Sequence, residues 1–137
     1  MSRHLRSTTK RHRLLVMSNR TPALMEGRTR EVGGLVSALE PALRDERGIW
    51  LGWSGQEREH DSRVVIDASE QPVRARFDLP SALHLPFFAG FCNSVLWPLL
   101  HGFPTRVRAA DGDWAAYVAT AQRFLARLGN SRLQTVD

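Results

Sequence analysis

Apolar residues along the chain fall into short runs of strand length and longer runs with helical spacing. Leu14 to Met17 is a continuous apolar run, which predicts a strand buried on both faces, as in a parallel sheet. A polar loop is predicted over residues 21–31, and apolar positions from Gly34 to Leu43 then repeat with helical spacing. Pro41 lies inside that pattern, so the helix is expected either to kink there or to have an irregular first turn.

Three further strands are predicted in the middle of the chain. Residues 48–55 alternate so that Trp50 and Trp53 face opposite sides, and Trp50 is assigned to the core. After a charged loop, residues 63–68 and 72–79 form the other two. In the last of these, charged residues alternate with apolar ones, which predicts an edge strand with one wet face.

The second half of the chain is predicted to be helical. Residues 80–103 are apolar and aromatic, and Pro86 and Pro98 are expected to divide them into short helices. Apolar residues repeat at intervals of three and four over Trp114–Leu128, which predicts an amphipathic helix with Asp113 as its N-cap. None of the apolar runs is judged long enough to cross a membrane.

The net charge of +5 comes from one end of the chain. Residues 1–13 hold five basic residues and no acidic one, and the remainder is balanced at 14 of each. A nucleic-acid-binding domain normally has a basic face on its folded body, so nucleic acid is not the expected partner, and tail-driven binding ranks last among the alternatives. The predicted organisation is a disordered basic tail over 1–12, a domain over 13–128 and an irregular tail over 129–137.

The chemistry-bearing residues are few. The single cysteine, Cys92, excludes an internal disulfide, and this fits a reducing cytoplasm as the expected location. Its apolar surroundings predict a buried, inert thiol. The five histidines are scattered without metal-ligand spacing, and no nucleophile–base pair stands out. The sequence therefore predicts no metal, no other cofactor and no catalytic side chain of its own.

The first strand, loop and helix predict an anion site. Gly33 and Gly34 open the helix, where free backbone N–H groups and the helix dipole favour negative charge. Arg20, at the end of the strand, would add a cation with forked donors. On these residues alone, a surface arginine is the commoner interpretation of Arg20, and a turn into the helix is the default interpretation of the glycine pair.

Four segments, taken in order, resemble the amino-terminal part of the trehalose-6-phosphate synthase family: LLVMSNR, VGGL, GIWLGWSG and FCNSVLWPLLH. The resemblance covers roughly residues 13–128. It implies an α/β fold that is a partial Rossmann-like lobe of a two-lobed glycosyltransferase, with an incomplete sheet and flanking helices. It also implies a retaining glucosyltransferase of trehalose biosynthesis, which transfers glucose from UDP-glucose to glucose 6-phosphate.

The resemblance also implies what this chain lacks. The family's second lobe has no counterpart before Asp137, so the isolated chain is expected to be inactive. A separate second lobe or a further copy of the chain is the expected protein partner, and no membrane is expected. A non-catalytic remnant that binds a sugar phosphate or a partner stays open as the alternative function.

The resemblance assigns roles to six residues. Arg20 matches an arginine that binds the acceptor phosphate, and Trp53 and Trp97 match aromatic residues beside the acceptor sugar. The pair Gly33-Gly34 matches glycines that let the donor nucleotide sugar approach.

Phe88 is the sixth residue, and it departs from the family pattern. It stands where the family has a tyrosine whose hydroxyl meets the acceptor phosphate, so one hydrogen-bond donor is missing. The acceptor site is therefore expected to be weaker or altered.

Overall fold

The structure is a computed structural model that describes residues 14–22, 33–129 and 133. The described chain combines helices with a mainly parallel sheet that begins strand, helix, strand, which confirms the predicted α/β class. The elements are β1 (Leu15–Arg20), α1 (Gly34–Asp45), β2 (Ile49–Arg58), β3 (Val65–Asp67), β4 (Val73–Pro80), α2 (Ser81–Leu85), a π-helical segment (Pro86–Leu96), α3 (Trp97–Leu100), a 3₁₀ turn (Pro104–Arg106) and α4 (Asp113–Leu128).

The described strands form a four-stranded sheet in the order β1-β2-β4-β3. β1, β2 and β4 run parallel, and β3 is antiparallel to β4. The carboxyl ends of the three parallel strands therefore lie at the same edge of the sheet. β1 is the outermost described strand, and Met17 is 39% exposed, so the prediction that this strand is buried on both faces is wrong.

One face of the sheet packs against α4. The rings of Phe77 and Phe124 meet edge to face with centroids 4.8 Å apart, and Arg127 of α4 lies over Phe77. Apolar residues of β2 and β4 supply most of this core. Its buried members are Ile49, Leu51, Trp53, Val64, Val73, Ala75, Phe77, Leu79, Phe124 and Leu133.

The opposite face of the sheet buries a charge, which corrects the prediction for β4. The strand itself was expected, but it lies between β2 and β3 rather than at an edge. Arg74 is 1% exposed and pairs with Glu40 of α1 at 3.4 Å and with Glu70 at 3.3 Å. Its guanidinium also lies 5.2 Å from the ring centroid of Trp50, which is fully buried as predicted. The face is dry at Arg74 because these carboxylates and the indole cover the arginine. Further along it, the side chains of Arg76 and Asp78 are part-exposed, so the predicted wet face is wrong only at Arg74.

Two strands differ in length from expectation. β2 continues to Arg58 because its pairing with β4 resumes after a register shift between Trp53 and Glu57. The charged loop predicted for residues 56–62 therefore begins as strand. β3 keeps only three residues of the six predicted for 63–68.

The two prolines of the second half mark the boundaries of short helical segments, as predicted. α2 ends at Leu85, a π-helical segment begins at Pro86, and Pro98 is the second residue of α3. The helix α1 continues through Pro41. α2, the π-helical segment and α3 follow one another directly.

Together these three segments form one helical run, Ser81–Leu100. It is 20 residues long with a mean hydropathy of 1.3, so by length and composition it could cross a membrane. This corrects the judgement that no apolar run is long enough. One such helix is weak support for a membrane span, because core helices of soluble proteins pass the same test.

α4 begins and packs somewhat differently from the prediction. Gly112, with a φ of 89°, occupies the N-cap position, and Asp113 is the first helical residue. The Asp113 carboxylate is buried and accepts a hydrogen bond from the backbone N–H of Ala110, so it holds the preceding loop. Trp114 and Leu125, expected on the packed face, are each 60% exposed. Ala116, Thr120 and Phe124 form the buried side.

The domain boundaries stay predictions. The proposed tail over 1–12 lies outside the described residues, as do residues 23–31 of the predicted loop. Within the proposed tail over 129–137, Leu133 is helical, 4% exposed and part of the core.

Candidate substrate site

The carboxyl ends of β1 and β2 bring a cation and an indole together. The strand register pairs Arg20 with Trp53, and the Arg20 guanidinium carbon lies 5.9 Å from the ring centroid. Thr21 ties the two strands at this point, because its backbone N–H and its hydroxyl both donate to the carbonyl of Trp53. Arg20 itself is exposed, so an anion can reach it.

Two glycines of β2 allow the end of β1 and the Arg20 side chain to lie close to β2. A Cβ at Gly52 would lie 2.8 Å from the carbonyl oxygen of Ser18 and 2.9 Å from the backbone nitrogen of Thr21. Backbone cannot yield as a flexible side chain can, so only glycine fits here. Gly55 has a φ of +92°, and a Cβ there would lie 3.1 Å from Nη2 of Arg20. The GWSG segment therefore leaves room for the Arg20 guanidinium beside β2.

Trp53 is a buried wall of this site. It is 7% exposed, and its Nε1–H donates to the carbonyl of Gln56 at 2.7 Å. The ring of His84 lies against it, with centroids 4.0 Å apart. The indole N–H that was expected to reach a sugar hydroxyl is therefore already bonded within the chain.

His84, on α2, links Trp53 to Phe88. The His84 and Phe88 rings are nearly parallel with centroids 5.9 Å apart, and His84 Nδ1 lies 2.8 Å from Oε1 of Glu57. Arg20, Trp53, His84 and Phe88 thus form a row, and Phe88 is 38% exposed at its far end. Sequence reasoning missed His84. The available signal was its spacing, four residues before Phe88 in a helical stretch.

Trp97 is not in direct ring contact with this row. It begins α3, is 48% exposed and stacks on His101 with centroids 4.1 Å apart. Among the ring contacts of the described residues, none joins Trp97 to the row that starts at Arg20. Ring and cation contacts therefore link Arg20, Trp53 and Phe88 through His84, and Trp97 is exposed with an indole face free for a ligand only on the side away from His101.

The glycine pair at the start of α1 faces open space. A Cβ at Gly33 or Gly34 would meet no described atom within 4 Å, and Gly33 has a φ of −90° that any residue adopts. Among the described residues, no side chain caps α1 and no acid lies in its first turn. Packing within the described part of the chain therefore does not explain the choice of glycine, whereas room for a ligand would.

Polar groups at the end of β4 border this edge of the sheet. Asp78 accepts hydrogen bonds from the Ser54 hydroxyl and from Nε of Arg58. Burial raises the pKa of Asp78, but these bonds and the Arg58 charge outweigh it and bring the pKa below 3.8, so the group is ionised at neutral pH. A cavity of about 250 Å³ lies beside Asp78 and is also lined by Ser62 and Arg76.

The remaining candidate chemistry is modest. Burial raises the pKa of the Cys92 thiol, which lowers its thiolate fraction and agrees with an inert cysteine. In the described part of the chain, no cluster of three or more histidine, cysteine or acidic side chains could hold a metal ion.

Three parallel strands, a crossover helix and a cation at the carboxyl edge define a partial Rossmann-like lobe. Ligands bind such lobes at that edge. The chain belongs to glycosyltransferase family 20, whose model matches residues 5–131.

Over the aligned residues, relatives in this family are about a third identical to the chain. A trehalose-6-phosphate synthase of Mycolicibacterium smegmatis is 36% identical over 118 residues, which cover 80% of this chain and 23% of the relative. One from Sodalis glossinidius is 30% identical over 116 residues, covering 85% of this chain and 24% of the relative.

Solved structures give the same fold. An alpha,alpha-trehalose-phosphate synthase (UDP-forming) from Burkholderia vietnamiensis has a TM-score of 0.71 and 26% identity, over 85% of this chain and 25% of that chain. A trehalose-6-phosphate synthase, OtsA, has a TM-score of 0.73 and 27% identity, over 85% and 26%. This chain is therefore a partial lobe of the two-lobed glycosyltransferase fold, and it spans about a quarter of the length of these relatives.

Proposed function

We propose that this chain forms the amino-terminal part of an α,α-trehalose-6-phosphate synthase. The complete enzyme would transfer glucose from UDP-glucose to glucose 6-phosphate with retention, in trehalose biosynthesis. Membership of glycosyltransferase family 20 and the names of its relatives support this function. A synthase from E. coli, 27% identical to this chain, was solved with UDP-2-fluoro glucose, which supports a UDP-activated donor.

The observation that supports the proposal most directly is the register of Arg20 with Trp53 at the carboxyl edge of the sheet. A guanidinium offers two parallel donors to one phosphate. The hydrogen bonds of Thr21 and the close approach at Gly52 fix the strand ends that position it. Arg20 would hold the phosphate of glucose 6-phosphate. Trp53, Phe88 and Trp97 would border the acceptor sugar.

The donor would approach the start of α1. Open space at Gly33 and Gly34, and a helix N-terminus without an acidic residue, suit a nucleotide diphosphate. Catalysis in such an enzyme rests on positioning and on stabilising the leaving diphosphate, so it needs no covalent nucleophile from this lobe. The opposite side of the cleft would come from a second lobe, and without it the chain would be inactive.

A non-catalytic binding role is the alternative. This alternative is supported by the small number of free hydrogen-bond donors on the acceptor side of the site. The Trp53 N–H is committed to Gln56, and Phe88 has no hydroxyl to offer a phosphate. A site with these features would bind a sugar phosphate through Arg20 with relaxed specificity.

We also infer the organisation and location of the chain. A tail over 1–12, a domain over 13–128 and a tail over 129–137 agree with the composition. A cytoplasmic location agrees with a single unpaired cysteine.

Calorimetric titration with glucose 6-phosphate tests the phosphate site. Arg20→Ala should weaken binding by roughly 10- to 100-fold, because a charge-assisted bond contributes about 1.5–3 kcal/mol. Arg47→Ala is the matched control. It removes an exposed arginine just before β2, at the opposite end of that strand from the site, and should bind as the unmodified chain does. Equal affinities for all three proteins would exclude Arg20 from the site.

Measuring UDP release from UDP-glucose and glucose 6-phosphate separates the two functions. The chain alone should release none. Mixed with a separately produced second lobe of a family 20 enzyme, it should support turnover if it is part of the synthase. Glucose 6-phosphate binding without turnover in that mixture would favour the non-catalytic role. Turnover by the chain alone would contradict the proposal that it needs a second lobe for activity.

A further inference from the structure

The imidazole of His84 lies between two rings that are assigned to the acceptor site. Its centroid is 4.0 Å from that of Trp53, with the two planes tilted by 36°. On the other side it stacks on Phe88, at 5.9 Å and with an angle of only 13° between the planes. Among the described residues, no direct ring contact joins Trp53 to Phe88, so His84 determines how these two rings are placed relative to each other.

The two nitrogens of this imidazole have different surroundings. Nδ1 lies 2.8 Å from Oε1 of Glu57, and because a carboxylate oxygen only accepts hydrogen bonds, Nδ1–H is the donor. Nε2 is buried and has no hydrogen-bond partner among the described residues. Burial of a polar atom without a partner is unfavourable, so packing alone would favour a hydrocarbon ring at this position. The bond to Glu57 is the contact that histidine makes here and a hydrocarbon ring cannot make.

Glu57 connects His84 to the strand that carries Trp53. The pairing of β2 with β4 shifts in register after Trp53 and resumes at Glu57, which lies opposite Leu79. The helix α2, which carries His84, follows β4 directly. The bond between Glu57 and His84 therefore ties α2 to the carboxyl end of β2. Phe88, four residues after His84 in the same helical run, is placed by the same contact.

We propose that Glu57 and His84 are positioning residues of the acceptor site, which hold Trp53 and Phe88 in the arrangement that binds the sugar of glucose 6-phosphate. The inference rests on the proposed function, in which Arg20 holds the phosphate and these rings border the sugar. The Trp53 N–H donates to Gln56 and Phe88 has no hydroxyl, so these rings recognise the sugar through their faces, which pack on its C–H groups. Recognition by ring faces depends on how the rings are placed. Loss of the pair should therefore weaken sugar recognition and leave phosphate recognition unchanged.

Titration of the full chain with glucose 6-phosphate and, separately, with inorganic phosphate distinguishes the two parts of the acceptor. NMR chemical shifts can follow both ligands, including the weaker one. His84→Ala should weaken glucose 6-phosphate binding about tenfold, because it removes both ring contacts and the bond to Glu57. The same variant should bind inorganic phosphate as the unmodified chain does. Arg20→Ala should weaken the binding of both ligands, since it removes the phosphate contact.

Two variants of Glu57 test the hydrogen bond itself. Glu57→Ala should weaken glucose 6-phosphate binding about threefold, because His84 keeps its ring contacts but loses its anchor. Glu57→Gln should restore most of that loss, since its amide oxygen still accepts from Nδ1–H. Rescue by the amide would not occur if the carboxylate acted only through its charge.

Glu46→Ala is the matched control for Glu57→Ala. It removes an exposed carboxylate at the end of α1, before the start of β2, and should bind both ligands as the unmodified chain does. Circular dichroism checks that every variant is folded.

Three results would overturn the inference alone: undiminished glucose 6-phosphate binding by His84→Ala, an equal loss of both ligands in that variant, or no rescue by Glu57→Gln. If instead the unmodified chain binds neither ligand, or Arg20→Ala changes neither affinity, the proposed acceptor site is wrong and the inference fails with it. The Arg20→Ala arm therefore separates the two kinds of failure.

Discussion

The sheet and the helical run Ser81–Leu100 distribute charge and apolar surface in opposite ways. In the sheet, the guanidinium of Arg74 is 1% exposed and lies among Glu40, Glu70 and the ring of Trp50. In the helical run, a chain segment of high hydropathy, Leu100 is 80% exposed. Side-chain polarity alone therefore does not decide what is buried in this protein.

The difference follows from what covers each region. The Arg74 face of the sheet is covered by α1 and by the segment before β4, both of which supply carboxylates. Among the described elements, the helical run packs against α4, the end of the sheet and the 3₁₀ turn that follows it, and these leave part of its surface uncovered. A charge becomes buried where partners surround it, and an apolar side chain stays exposed where no described element lies over it.

The strongest test of this comparison removes the buried charge. Arg74→Ala should lower the free energy of unfolding by about 3–5 kcal/mol, because it leaves the Glu40 and Glu70 carboxylates without their buried partner. Urea denaturation measures the change. Arg44→Ala is the control. Arg44 binds the same Glu40 at 3.0 Å but is 47% exposed, and its loss should cost about 0–1 kcal/mol. Similar losses for both variants would mean that burial of Arg74 does not matter.

A pair of leucine truncations sharpens the contrast between the regions. Leu51→Ala, in the fully buried centre of β2, should cost about 2–5 kcal/mol because it leaves a cavity. Leu100→Ala should change the free energy of unfolding by no more than about 0.5 kcal/mol. The same urea titration compares them. A large loss for Leu100→Ala would show that Leu100 is packed in solution, against its 80% exposure.

The smallest expected effect is a dependence on pH at the end of β4. Because the pKa of Asp78 lies below 3.8 in the folded chain, its ionised form stabilises the fold above that pH. This contribution is lost as the pH falls through the folded-state pKa. Thermal unfolding from about pH 5 to about pH 2 should therefore show a shallower loss of stability for Asp78→Asn than for the unmodified chain. Asp111→Asn, at an exposed carboxylate, is the control. Parallel curves for the unmodified chain and both variants would refute the claim that ionised Asp78 stabilises the fold.

Local patterns predicted much of the fold. β1, β2, β4 and α4 lie close to their expected residues, because alternation and helical spacing are properties of neighbouring residues. The position of β4 inside the sheet could not be predicted, since it depends on β3 pairing antiparallel with its outer edge. The segment boundaries at Pro86 and Pro98 agree with the prediction, because proline acts on the backbone of its own and neighbouring residues. That the segments follow one another directly could not be read from the prolines.

The candidate site, like the fold, was predicted only in part. Arg20 and Trp53 were both expected near the acceptor, and the parallel register puts them side by side. His84 could not be identified, because its contact with Trp53 depends on how α2 follows β4. The stacking of Trp97 on His101 could not be identified either, because the sequence was not used to place both residues on one side of α3. The ligand roles of these residues remain predictions.

The open space at Gly34 has a practical use in labelling chemistry. A Cβ at that position meets no described atom within 4 Å, so Gly34→Cys places a thiol in solvent at the first residue of α1. The only native thiol, Cys92, has a raised pKa and reacts slowly with a maleimide at neutral pH. A fluorophore attached at position 34 would stand at the edge where the donor is proposed to arrive, and its emission could follow that arrival in real time.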